Sequence, residues 1–205
     1  LVARLARFNF PELLVVDEGH HILAKTYLKV VAWALGVPLI AFTATPIRAD
    51  GKSFATLFDT MVESDNIQQL IADGWLVQPE VFAPPLDDLD LTSLKEGSSG
   101  DFVQKEVDEK VDKPKIIGCA VAHYKRLFPH YPPAVAFCTS VKNAEHVAEE
   151  FRANGIASAS IDGSMDEETR ADLVEALKTG DIKVLTSCDL ISEGFDLPSI
   201  EVAIM

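Results

Sequence analysis

The stretch Pro11-Glu12-Leu13-Leu14-Val15-Val16-Asp17-Glu18 constrains this chain more than any other, because an unbroken apolar run stops abruptly at two carboxylates. A short continuous apolar run of this kind reads as a strand buried on both faces, the type found in parallel sheets covered by helices. The period then changes. From Ile22 to Leu35, residues Leu23, Tyr27, Val30, Val31 and Ala34 fall on one helical face, and Gly36 stands where a helix should stop. Pro38 to Phe42 is apolar and strand-like again. Strand, helix and strand within about thirty residues make a βαβ unit, which calls for a parallel sheet and a right-handed crossover.

The rhythm breaks in the middle of the chain. Residues 1–77 carry 6 basic and 8 acidic side chains (net −2), whereas 78–113 carry 4 and 10 (net −6), with Pro79, Pro84, Pro85 and the string Gly97-Ser98-Ser99-Gly100. That shift marks an acidic linker between two α/β regions. Within it Phe102, Val103, Val107 and Val111 have helical spacing among charges, which predicts a short surface helix. From residue 114 the pattern returns, with a helix over Ile116 to Phe128 and a strand over Ala134 to Cys138. Ser140 is placed to cap a helix with Val141, Ala144, Val147, Ala148 and Phe151 on one side, and Gly155 lies past its end. Ile156 to Ile161, Ile182 to Thr186 and Ile200 to Met205 read as further strands. Ser164 and Glu167 stand at capping-box spacing before a helix that Gly180 ends.

Composition excludes several classes. With 205 residues, 48% hydrophobic and 24% charged, the chain can bury a sizeable core and is neither a disulfide miniprotein nor a disordered tail. Cys119, Cys138 and Cys188 show no CxxC pairing and no metal-ligand spacing, so reduced thiols and a cytoplasmic setting are expected. His123, His130 and His146 read as surface groups. No apolar run reaches the roughly 18 residues of a membrane span, and no signal-peptide layout opens the chain. A soluble chain without a membrane partner is expected. The net charge of −14 is unlike the basic footprint of most nucleic-acid-binding domains. Residues 114–205 contribute −6 of it (8 basic, 14 acidic), so the region around Asp17 is nearly neutral and local phosphate contacts are not ruled out.

Asp17 and Glu18 lie at the carboxyl end of a parallel strand, where open α/β sheets place their ligands. Two adjacent acids there suit a hydrolytic phosphate site: one can hold Mg²⁺ through water, the other can orient or deprotonate an attacking water. Glu18 continues as Gly19-His20-His21, and the next strand ends in Thr43-Ala44-Thr45-Pro46. Here the sequence resembles the superfamily 2 helicases and translocases of the DEAD/DEAH-box (DExH) kind. Asp17-Glu18-Gly19-His20 is similar to their motif II and Thr43-Ala44-Thr45-Pro46 to motif III, one βαβ unit apart. Phe137-Cys138-Thr139-Ser140 is similar to motif IV, Asp162-Gly163-Ser164 with Arg170 to the family's loop and helix after the next strand, and the run from Leu185 to Pro198 to motif V.

The resemblance implies an α/β fold of two RecA-like (P-loop NTPase-type) parallel-sheet domains, both incomplete: residues 1–77 as part of the first, 78–113 as hinge, and 114–205 as part of the second. It also implies ATP and Mg²⁺ as cofactors and nucleic acid as partner. Asp17 would bind Mg²⁺, Glu18 would be the catalytic base, and His20 would bridge the nucleotide site to Thr43 and Thr45, which couple hydrolysis to domain closure. Gly194 and Asp196 would face the nucleotide, and Thr139, Gly163, Thr186 and Ser187 would lie near the nucleic-acid backbone. The Asp-Glu-Gly-His box and the run from Phe42 to Gly51 look more like restriction-type and repair-type DNA helicases than the RNA group, so DNA is the expected strand. No GxxxxGK[ST] loop precedes Asp17, and no motif VI follows Met205. An interior piece of a helicase, hydrolysing ATP poorly by itself, is therefore expected; a helicase-fold interaction module without ATP hydrolysis is the alternative.

Overall fold

The computed structural model describes residues 2–5, 7–45, 54–83, 92–95, 102–188, 190–191 and 197–205. The chain divides into two compact units, Leu1–Val81 and Phe82–Met205. The division falls inside the acidic stretch, so its helix belongs with the second unit.

In the first unit, helix α1 (Val2–Leu5) precedes strand β1 (Leu14–Val16), a 3-10 turn (Gly19–His21), helix α2 (Lys25–Trp33) and strand β2 (Leu39–Ala41). A second 3-10 turn (Phe54–Thr56) and helix α3 (Ile67–Ala72) follow. Strands β1 and β2 pair in parallel, Val15 opposite Ile40 and Val16 opposite Ala41, as the βαβ reading requires. Two expectations change. Helix α2 starts at Lys25 rather than Ile22, because the residues after Glu18 are spent on the 3-10 turn. The sheet is not buried on both faces: Val16 and Ile22 are buried, but Val15 is 53% and Ile40 45% exposed, since no described segment of this unit covers their side.

The second unit holds helices α4 (Gln104–Val111) and α5 (Pro114–Leu127), then β3 (Ala134–Phe137), α6 (Val141–Ala153), β4 (Ser158–Ile161), α7 (Glu167–Thr179), β5 (Val184–Ser187) and β6 (Val202–Ile204). Its sheet is fully parallel in the order β4-β5-β3-β6. Alternation along the strands feeds two cores. Ala134, Ala136, Val184 and Val202 meet Ile117, Val121 and Tyr124 of α5 and Val147 and Phe151 of α6. Val135, Ile161 and Leu185 meet Leu177 of α7 and Ile191 on the other side. Phe151 and Leu177 are fully buried, each contributing at most about 1.5–3 kcal/mol from burial.

Local chemistry sets the helix ends. Pro114 opens α5 at a position whose missing N–H costs nothing. The Ser140 hydroxyl caps α6 by accepting from the Asn143 N–H at 3.0 Å. Helix α7 is capped by Asp166, which accepts from the Thr169 N–H at 2.8 Å; Ser164 instead donates through both its N–H and its hydroxyl to Asp162, so the expected capping box does not form. Gly180 ends α7 at φ 85°, a left-handed turn that costs glycine no Cβ clash.

Candidate nucleotide and nucleic-acid sites

Among the described residues, the site candidates singled out from the sequence lie at or just after the carboxyl ends of parallel strands. Asp17 and Glu18 follow β1, and Thr43 and Thr45 follow β2. Asp17 accepts the Glu18 N–H at 2.9 Å and keeps an exposed side chain. Glu18 holds φ 50° and ψ 53°, a left-handed conformation rare for a residue with a Cβ. Such a conformation costs of order 1–3 kcal/mol and is concentrated at functional sites. Here it turns the chain straight into the Gly19–His21 turn.

Gly19 makes that turn possible. Its N–H donates to the Phe42 carbonyl at 2.7 Å, and a Cβ at this position would stand 2.8 Å from the Ala41 Cβ and 3.3 Å from the Phe42 oxygen. Only glycine lets the loop after β1 lie this close to β2. The contact brings His20 to Thr43: the imidazole Nδ1 is 3.1 Å from the Thr43 Oγ1 and 3.3 Å from the Glu18 Oε2. Thr43 Oγ1 also accepts the Thr45 N–H at 3.1 Å. One ring nitrogen is therefore within reach of the acid after β1 and the hydroxyl after β2. A protonated Nδ1 can donate to Glu18, while an unprotonated one can accept the Thr43 hydroxyl.

Among the described residues, no group of three or more His, Cys, Asp or Glu is arranged to hold a metal. The exposed carboxylate of Asp17 suits Mg²⁺ held mostly by water and phosphate oxygens. Gly194 and Asp196 lie outside the described residues.

The second unit separates its four expected contact residues. Thr139 follows β3 and Gly163 follows β4, both at the carboxyl edge, and a Cβ on Gly163 would meet nothing within 4 Å. Asp162 beside it lies below the usual carboxylate range, held there chiefly by the Ser164 hydroxyl and N–H. Thr186 and Ser187 point inward instead. They are 0% and 1% exposed, the Thr186 hydroxyl donates to the Ala144 carbonyl of α6 at 2.7 Å, and Ser187 Oγ accepts the Ile191 N–H. Their hydroxyls tie β5 to its neighbours and are not presented to a backbone phosphate.

Five residues not singled out as site candidates join Thr139. The Thr139 and Ser140 hydroxyls both donate to Asp108 Oδ1 at 2.7 Å, and Asp112 accepts from the Asn143 amide at 3.1 Å and lies 2.8 Å from His146 Nδ1. Burial alone would raise Asp112, but hydrogen bonds from His146 and Asn143 and the charges of His146 and Lys142 hold it below its ordinary value. His146 is thus part of a network and not a lone surface group. Gln104, Asp108 and Asp112 recur every fourth residue, a signal in the sequence that a solvated helix face produces equally well.

Comparison with known proteins fits this geometry. Residues 122–205 match the helicase conserved C-terminal domain. A "51.5 kDa protein" of Lactococcus phage (isolate 7-9) is 33% identical over 202 residues, covering 98% of this chain and 44% of that protein. The "Putative mitochondrial ATP-dependent helicase irc3" of Schizosaccharomyces pombe is 28% identical over 200 residues, covering 94% of this chain and 32% of that protein. Of solved structures, "S. cerevisiae Dbp5 bound to RNA and ADP BeF3" superposes with a TM-score of 0.50 at 14% identity, over 98% of this chain and 47% of that one, a likeness of fold alone. The parallel sheets together with this likeness of fold place the chain in the RecA-like α/β class. Residues 122–205 carry the helicase C-terminal domain, and the likeness to a helicase-named relative extends over 94% of this chain. The chain spans less than half the length of each of these relatives.

Proposed function

We propose that the chain is part of an ATP-dependent helicase or translocase that acts on nucleic acid inside the cell, DNA in preference to RNA, and couples ATP hydrolysis to domain closure. Asp17 would hold Mg²⁺, which would supply charge neutralisation at the nucleotide phosphates. Glu18 accepts a proton from the attacking water, and Gly194 and Asp196 face the nucleotide. Thr139 and Gly163 meet the nucleic-acid backbone, which positions the strand without reading its sequence. Residues 1–77 and 114–205 act as parts of the two RecA-like domains.

The observation that carries this reading is the position of His20 Nδ1 between Glu18 and Thr43. Any change in the proton or charge on Glu18 alters which partner the imidazole serves, and Thr43 with Thr45 passes that change to the loop after β2. The family resemblance to restriction-type and repair-type helicases supports DNA.

The test is the ATPase of the full-length protein. Glu18→Gln should lower kcat by about 10²–10⁴-fold, the usual worth of a positioned base, with the nucleotide still bound. His20→Ala should keep basal hydrolysis but lose much of its stimulation by nucleic acid. Unaltered turnover in Glu18→Gln would remove the assigned base. Duplex DNA, single-stranded DNA and RNA are compared as activators, and stimulation by RNA alone would overturn the DNA preference.

A further inference from the structure

Helix α4 is attached to the second unit by an unusual surface. None of its residues is buried, and its contact with the loop after β3 and with α6 runs through a polar stripe, Gln104, Asp108 and Asp112. These stand four residues apart and meet Thr139, Ser140, Asn143 and His146, the loop and first turns of α6. Asp108 takes both hydroxyl protons on one carboxylate oxygen. Ser140 is the cap of α6, so a negative charge sits at the end of a 13-residue helix, where free amides and the helix dipole favour an anion.

The stripe is what a phosphodiester would offer to the same donors: a singly charged oxygen pair accepting hydroxyls at a helix N-terminus. Asp108 is only half-buried, so its release into water strands no buried charge. An apolar joint could not exchange in this way, because its separation would expose hydrocarbon with nothing to replace the lost burial.

We propose that α4 is an acidic strap that occupies the Thr139 and Ser140 hydroxyls when nucleic acid is absent, and that a backbone phosphate displaces Asp108 from them on binding. This rests on the assignment of Thr139 to the nucleic-acid path. The strap makes binding conditional: apparent affinity falls by the fraction of molecules in which α4 is released.

The test measures binding of a short fluorescein-labelled DNA, single-stranded or duplex, and of RNA of the same sequence, by anisotropy with the whole chain. Asp108→Ala should tighten binding about tenfold, the gain expected if the strap is closed about nine-tenths of the time. Glu109→Ala removes the same charge from an exposed neighbour whose ion pair is with Lys105, and should change affinity little. An equal gain in both variants would reduce the effect to net charge and overturn the strap. So would unchanged affinity in Asp108→Ala, or no binding by any variant. Thr139→Val is added in the Asp108→Ala background, where no strap remains. Weaker binding there supports the path through Thr139 even if the strap fails, whereas unchanged binding removes Thr139 from the path and the proposal with it. Hydrogen exchange gives a second readout: the α4 amides should lose protection when saturating nucleic acid is added, and retained protection would contradict displacement.

Discussion

At the scale of single residues, Gly19 carries the tightest constraint. A methyl group there would overlap the Ala41 Cβ and press on the Phe42 carbonyl oxygen, neither of which belongs to a flexible side chain that could yield. Gly19→Ala should destabilise the first unit by about 1–3 kcal/mol, the usual cost of overpacking, and separate His20 from Thr43. The chain has two tryptophans, Trp33 and Trp75, both in this unit, so denaturant unfolding followed by tryptophan fluorescence checks it directly. An unchanged midpoint would show that the turn has room to relax. The acids Asp17 and Glu18 stood out as candidates in the sequence only because Gly19-His20 continues them and Thr43-Ala44-Thr45-Pro46 follows one βαβ unit later; a strand ending in two carboxylates is otherwise as well explained by a solvated strand end. The left-handed backbone of Glu18 was not legible there, since nothing in its residue type announces it. Thr186 illustrates the opposite case. Its motif suggests a ligand, yet strand alternation turns its hydroxyl toward α6, and only the register with β3 and β4 reveals this.

At the scale of elements, most boundaries followed from local rules: Ser140 caps α6, Pro114 opens α5 and Gly180 closes α7. Helix α4 was predicted from its spacing, but its docking was not, because Asp108 and Asp112 look like solvated acids until Thr139, Asn143 and His146 are placed opposite them. The docking has a pH dependence of definite sign. Asp112 is held below its ordinary 3.8 by His146, Asn143 and Lys142 against the effect of burial. Its ionised form therefore stabilises the folded chain fully above that value, and the contribution disappears as pH falls through the lower folded-state value. Asp112→Asn should lower the thermal midpoint by a few degrees at neutral pH. The gap from wild type should close as the pH is taken below about 3.8, with Asp108 the other acid and His146 the imidazole facing Asp112 on this surface. A gap that persisted in acid would assign the effect to packing instead of charge.

At the scale of the whole molecule, the two units differ sharply in how much they bury. The buried apolar residues described in the first are Val16, Ile22 and Ala34, whereas the second packs both faces of a four-stranded sheet. Unfolding in urea should therefore proceed in two steps. Tryptophan fluorescence from the first unit should change at lower denaturant than the far-UV circular dichroism signal dominated by α5, α6 and α7, and coincident curves would show one cooperative body. The sequence by itself determined the α/β class, the parallel βαβ order and the chemistry placed at the strand ends, because periodicity, caps and motifs are properties of neighbouring residues. Tertiary structure alone decided which of those groups face outward and which are spent internally. That Thr186 is buried, that His20 stands between Glu18 and Thr43, and that α4 covers Thr139 all depend on atoms 23 to 42 residues apart in the chain. Their meeting is fixed by strand register and helix packing, which no local pattern encodes.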